Sequence, residues 1–144
     1  MTRISFYILK SSQEHDRQVF ACRLIEKAHA KGNQIYIHAD SQEQANQFND
    51  LLWSFRSDSF VPHQLMYDTS QTTQDDCPIL IGHESTPPRL MNLLINLSSE
   101  QPMFFSQFER VAEFINDNET TKAQGRERYQ FYKERGYELE SHNL

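Results

Sequence analysis

The sequence predicts an α/β fold, a mainly parallel sheet flanked by helices, in a single domain over residues 1–144. Three observations carry this expectation. Short apolar runs of strand length alternate with amphipathic stretches of helical length, the pattern of a parallel sheet covered on both faces. The length of 144 residues is enough for one buried core without disulfides or a structural metal. No internal repeat or low-complexity tract interrupts the alternation.

The elements follow in order. ISFYIL at 4–9 combines aromatic and β-branched residues, is too short for a helix and reads as a buried strand. Over 14–31, Phe20, Leu24 and Ala28, with Ala21 and Ile25 beside them, recur at helical spacing, and Gly32 supplies the left-handed position that stops a helix. QIYIH at 34–38 is a second strand. Ser41 then caps a helix running to about Trp53, with Gln44 placed to close a capping box. The run at 54–68 is irregular, and the polar stretch at 68–76 has nothing to bury and forms a surface loop. PILIG at 78–82 and LMNLLINL at 90–97 are two further strands, separated by a segment whose two prolines forbid regular structure. Phe105, Phe108, Val111, Ala112 and Ile115 predict an amphipathic helix, and residues 119–135 a last helix. Gly125 within that helix costs about 1 kcal/mol relative to alanine and marks a place where it bends or starts late.

Composition narrows the function. With Lys+Arg 14 against Asp+Glu 20, the net charge of -6 argues against broad binding of nucleic acid, which rests on neutralising phosphates. Contact with DNA is therefore expected to be indirect. No apolar run has the length of a signal peptide core or a membrane span, so a cytoplasmic protein is expected. Cys22 and Cys77 form neither a CxxC motif nor a zinc-ligand pair and read as reduced, small hydrophobes.

The motifs of catalysis are mostly missing. Asp40 ends the second strand, where dinucleotide-binding folds hold a ribose hydroxyl. Yet the turn after the first strand, KSSQEHD, has no glycine to let backbone amides approach a pyrophosphate, and no GxxxxGK[ST] occurs. Asp40 therefore reads as a turn residue ahead of a helix cap. His38, His63 and His83 lie near strand ends, but their spacing supports no metal site, and HESTP at 83–87 lacks the second histidine of a zinc-hydrolase motif. Cys22 faces the apolar side of its helix, Cys77 has no signalled base, and no GxSxG elbow exists. No cofactor, no metal and no catalytic residue is expected. The alternative reading is a metal- or nucleotide-dependent hydrolase served by Asp40, His63 and His83.

The last helix carries the positive signal. Lys122, Arg126, Tyr129 and Lys133 follow at spacings of 4, 3 and 4 and share one face. Residues 119–137 hold five Lys/Arg against three Glu, a net positive segment on an acidic chain. A solvated charged face would look the same. A dock for an acidic peptide is the functional reading, with Arg126 taking a carboxylate through both of its forked donors. Direct binding of single-stranded DNA by this basic, aromatic helix is a third possibility.

The ending FERVAEF followed by KAQGRERYQFYKERGYEL, with LLW and SFVPHQL in the middle and FYIL at the start, resembles the chi subunit of bacterial DNA polymerase III. The most specific matches are the RERY helix with its following glycine (Arg126, Glu127, Arg128, Tyr129, Gly136) and the element from Trp53 through Ser59, Phe60, Val61, Pro62 and His63. The resemblance implies a Rossmann-like fold without nucleotide chemistry, within the clamp-loader assembly. It implies binding of the acidic, phenylalanine-terminated tail of single-stranded DNA-binding protein, and attachment to the clamp loader through a small subunit, psi. The tail-binding positions it carries over are Lys122, Arg126 and Tyr129, with Ile115 on the preceding helix and Gly136 at the end of the last one. Lys133, from the same face, joins Lys122 in attracting the aspartates of the tail. Trp53, Phe60, Val61 and Pro62 are the candidate surface for psi, and core packing is an equally good account of them.

Overall fold

A computed structural model describes residues 2–58, 60–66, 77–84, 86–87 and 89–144. The surface loop expected over 68–76 lies outside them. Among the described residues, seven strands form one sheet in the order β3-β4-β2-β5-β6-β1-β7. They are β1 (Arg3–Ile8), β2 (Ile35–His38), β3 (Gln64–Leu65), β4 (Ile79–Gly82), β5 (Leu93–Asn96), β6 (Arg110–Ile115) and β7 (Glu138–Asn143). Every pairing is parallel, the arrangement that joins strands by crossovers and not by hairpins.

Helices fill three of the connections, from β1 to β2, from β2 to β3 and from β6 to β7. On one face lie α1 (Glu14–Ala30) and α2 (Gln42–Ser54), packed through Ala21, Cys22, Ile25, Ala45, Phe48 and Leu52 onto Ile35, Ile37, Ile95 and Phe114. On the other lies α3 (Glu119–Glu134), which packs with a 3-10 turn (Phe105–Gln107) through Tyr132 and Phe105 onto Ile4, Phe6, Leu94 and Val111. Because both faces are covered, the inner strands bury neighbouring residues in opposite directions. This is why they read as continuous apolar runs and not as an alternation.

The helix ends follow local chemistry. Ser41 Oγ accepts from the amide of Gln44 at 3.1 Å, while Gln44 Oε1 accepts from Asp40 N at 2.6 Å, one residue earlier than in a standard capping box. At the C-terminal end of α1, Gly32 (φ +86°) and Asn33 return their amides to the carbonyls of His29 and Ala28. Gly136 (φ +78°) and Tyr137 do the same for α3, to Lys133 and Tyr132. Both are paired closures that end a helix on a left-handed glycine.

One expectation is corrected. Residues 105–115 are not a helix: Phe105 opens the 3-10 turn, and Val111, Ala112 and Ile115 belong to β6, whose residues from Val111 to Ile115 are all buried. Ile115 therefore reaches the site from a strand. β3 and β7 are strands the pattern did not announce. Gly125 neither bends nor delays the last helix, which starts at Glu119 and is continuous through it.

Candidate peptide-docking site

The carboxyl ends of β1 and β6 and the side of α3 that meets them border an open cavity of about 280 Å³. Alternate residues of a strand share a face, so Phe6 and Ile8 on β1, Ile115 on β6 and Ser141 on β7 point the same way; Ile8 registers with Ile115 and Phe6 with Ser141. From α3 come Lys122, Gly125, Arg126 and Tyr129, at spacings that keep them on one side. The floor is apolar and the rim is cationic.

Gly125 sets how close helix and sheet approach. A Cβ placed there would lie 2.3 Å from Cδ1 and 3.2 Å from Cγ1 of Ile115, so only glycine lets the helix sit this low while Ile115 keeps its place in the floor. Tyr129 stands half in solvent with its ring 5.3 Å from that of Phe6, forming a tilted aromatic wall. Lys122 is held by Asp117 (3.1 Å) and Glu119 (3.7 Å), and the hydrogen bond and charge of Asp117 raise its pKa above the ordinary lysine value. Arg126 is exposed and has no hydrogen-bond or ion-pair partner among the described residues, so its guanidinium faces the cavity mouth uncommitted.

Four of the six residues singled out from sequence thus converge: Ile115, Lys122, Arg126 and Tyr129. Lys133 is exposed one turn further along α3 and does not line the cavity, and Gly136 lies beyond the helix end. Phe6, Ile8, Gly125 and Ser141 were missed as site residues. The two-residue period of the first strand could have offered Phe6 and Ile8 as partners on one face, whereas Ser141 sits in a polar strand with no apolar signature.

Arg128, two residues after Arg126, faces the opposite way. It is 3 % exposed and donates to Glu113 Oε1 at 2.8 Å and to the carbonyl of Ser99 at 2.8 Å. Glu113, fully buried, also accepts from Tyr132 Oη (2.7 Å) and Asn96 Nδ2 (2.9 Å). The network is satisfied at each atom it uses, and it pins α3 to β5 and β6 in one position. Burial, then the charge and hydrogen bond of Glu113, push the Tyr132 phenol far above its ordinary range, so it stays a donor.

The candidate psi residues divide. Trp53 is 44 % and Phe60 82 % exposed, with ring centroids 5.8 Å apart, whereas Val61 is 2 % exposed and packed in the core with Pro62 half-buried beside it. His63, its ring tilted against that of Trp53 with centroids 3.9 Å apart, sits between two carbonyls, with Nδ1 2.6 Å from that of Val61 and Nε2 3.2 Å from that of Asn49, and in its neutral form donates to one of them. It is thereby held away from Asp40 and His83, which line a separate cleft with His38. The three residues the hydrolase reading needs do not meet. Asp40 Oδ1 instead accepts from the amide and hydroxyl of Ser99 (2.9 and 3.1 Å), lacing together the ends of β2 and β5. Arg17, buried at 6 %, donates to the carbonyls of Phe114 and Leu97, filling the space above β5 and β6. Among the described residues no group of three or more His, Cys, Asp or Glu is placed to hold a metal. Burial pushes the Cys22 thiol up to about 12, so it is no nucleophile at neutral pH.

Fold and site together define a Rossmann-like α/β domain that offers a small amphiphilic pocket on a helix face, with its sheet crevice laced by side chains. Comparison with known proteins narrows this class: residues 1–140 match the DNA polymerase III chi subunit, HolC, and the chain belongs to that family. The DNA polymerase III subunit chi of Pseudomonas aeruginosa is 37% identical over 144 residues, covering 100% of this chain and 98% of the relative. Those of Haemophilus influenzae and Escherichia coli are 32% and 24% identical, over 95% and 96% of their lengths. The chain is accordingly an accessory subunit of the replicative polymerase. Among solved structures, T4 UvsW (TM-score 0.69, 9% identity) and S. cerevisiae Dbp5 (TM-score 0.63, 11% identity) share the fold alone. The chain corresponds to 42% of each of those structures. No helix among the described residues is long and apolar enough to cross a membrane.

Proposed function

We propose that this chain is a non-catalytic, cytoplasmic subunit that docks the acidic C-terminal tail of single-stranded DNA-binding protein in the pocket under α3 and bridges it to the clamp loader through psi. The observation that carries the reading is the pocket itself, an apolar floor with room for an aromatic ring beneath a cationic rim. A terminal phenylalanine would enter against Phe6, Ile8, Ile115 and Tyr129. Its carboxylate would pair with uncommitted Arg126, and aspartates upstream would face Lys122 and, more distantly, Lys133. DNA is then reached only through the partner. Exposed Trp53 and Phe60 support a docking surface for psi, since aromatic anchors are common in stable interfaces; Val61 would act by backing them from the core.

Such a contact is small, and micromolar affinity, about 8 kcal/mol, is expected. Fluorescence anisotropy of a labelled acidic peptide ending in a free-carboxylate phenylalanine tests it. The wild type should bind in the micromolar range, Arg126→Ala should weaken binding at least tenfold, and moderate salt should weaken the wild type because the attracting charges are exposed. Equal binding by wild type and variant would remove Arg126 from the site.

A further inference from the structure

At the opposite edge of the sheet, where the strands begin, the fold gathers positive charge around a second cavity of about 280 Å³. Arg3 opens β1 and Arg110 opens β6, and the two are register partners in neighbouring parallel strands, so their side chains emerge side by side on the α1 face. The end of α1 lies over them with Lys27 and Lys31, four residues apart and hence on the same side of the helix. Two like-charge pairs thus converge, each unfavourable on its own. Glu109 is the one carboxylate among the lining residues, and the C-terminal dipole of α1 offers roughly another half of a negative charge. Glu138, register partner of Arg3 on its far side, makes no ion pair with it, and Arg3, Lys27 and Lys31 have no ion-pair partner among the described residues. Arg110 is already oriented, donating to the phenol of buried Tyr7 at 2.7 Å, which leaves its remaining donors free.

The geometry points to a binding site for a compact phosphorylated small molecule with two or more adjacent negative charges. Two neighbouring guanidinium forks and two ammonium groups match the oxygens of a diphosphate, and Leu24, Ala28 and Leu93 give an apolar wall for an organic body. The cavity is a partly open recess between the end of α1 and the starts of β1 and β6, about 280 Å³ in volume, which favours a small ligand over a tract of nucleic-acid backbone. The site is separate from the α3 pocket and does not depend on the tail-docking reading.

Isothermal titration calorimetry of the full chain with pyrophosphate, at constant ionic strength and with sulfate as the control, tests it. Pyrophosphate should bind at least tenfold more tightly than sulfate. The Lys27→Gln/Lys31→Gln variant, which changes two exposed side chains, should lose at least tenfold with an unchanged melting temperature, and Arg126→Ala should bind as the wild type does. Binding no tighter than sulfate overturns the proposal, as does a loss seen in Arg126→Ala but not in the lysine variant. Lysine-dependent binding of an oligothymidylate without binding of pyrophosphate would overturn it in favour of a nucleic-acid surface.

Discussion

At Gly125 an energetic disadvantage within the helix becomes a condition for the site. Glycine costs a helix about 1 kcal/mol relative to alanine, yet here the missing Cβ is what lets Ile115 reach the pocket floor. Gly125→Ala should recover the propensity and lose more through overpacking, which typically costs about 1–3 kcal/mol. The expected outcome in urea unfolding is a destabilisation of up to about 2 kcal/mol, with tail-peptide binding weakened several-fold because Ile115 is pushed into the cavity. A more stable variant with unchanged binding would contradict this account of the glycine. Arg126 and Arg128 make the complementary point. In sequence they are one motif, but two residues of helix turn them to opposite sides, so one is free at the pocket and the other fastens the helix.

That fastening is the work of an element, since α3 can present a pocket only if it is held at a fixed height over β1 and β6. Glu113 receives three side-chain donors from α3 and β5, and removing its charge leaves Arg128 buried without its partner. Glu113→Gln should therefore cost about 3–5 kcal/mol in chemical denaturation, while Glu113→Leu/Arg128→Met, which removes both charges, should recover a substantial part. A loss under about 1 kcal/mol in the single variant would show that the network does not hold the helix. The same strand explains the one element misread from sequence. A 3-10 turn followed by a strand buried on both faces placed Phe105, Phe108, Val111, Ala112 and Ile115 at intervals that imitate a helix. The β-branched and aromatic character of VAEFI was the better indicator. β7 escaped notice for the opposite reason: ELESHN is a largely exposed edge strand and buries no stripe of its own.

Across the whole molecule, the fold class and most elements were legible because a parallel sheet needs apolar strands and amphipathic crossovers in alternation, and both are written locally. The site was legible in part, since Lys122, Arg126 and Tyr129 share a helix face by spacing alone. Of its floor only Ile115 was named, through the family resemblance, because Phe6, Ile8 and Ser141 join α3 only through strand order. The core also sets the response to acid. Burial holds His38 and His63 below the ordinary histidine pKa, against the opposing pull of Asp40 on the first and of the Val61 and Asn49 carbonyls on the second. Folding therefore favours the neutral form of both, while unfolding returns them to about 6.5. Between that value and the lower folded ones, the unfolded chain binds more protons. Their contribution is full above about pH 6.5 and declines as the pH falls further. The melting temperature should drop from pH 7.5 to about pH 5, and less steeply in His63→Gln than in the wild type. Parallel slopes would show that His63 does not titrate on unfolding.

The proposed role requires α3 and the ends of β1 and β6 to receive an acidic, phenylalanine-terminated tail. The most direct test is amide chemical-shift mapping of the isotope-labelled chain titrated with that peptide. Perturbations should centre on Phe6, Ile8, Ile115, Gly125, Arg126, Tyr129 and Ser141, with residues around Trp53 and Arg3 unmoved. Saturable shifts confined to another face, or none at millimolar peptide, would contradict the account.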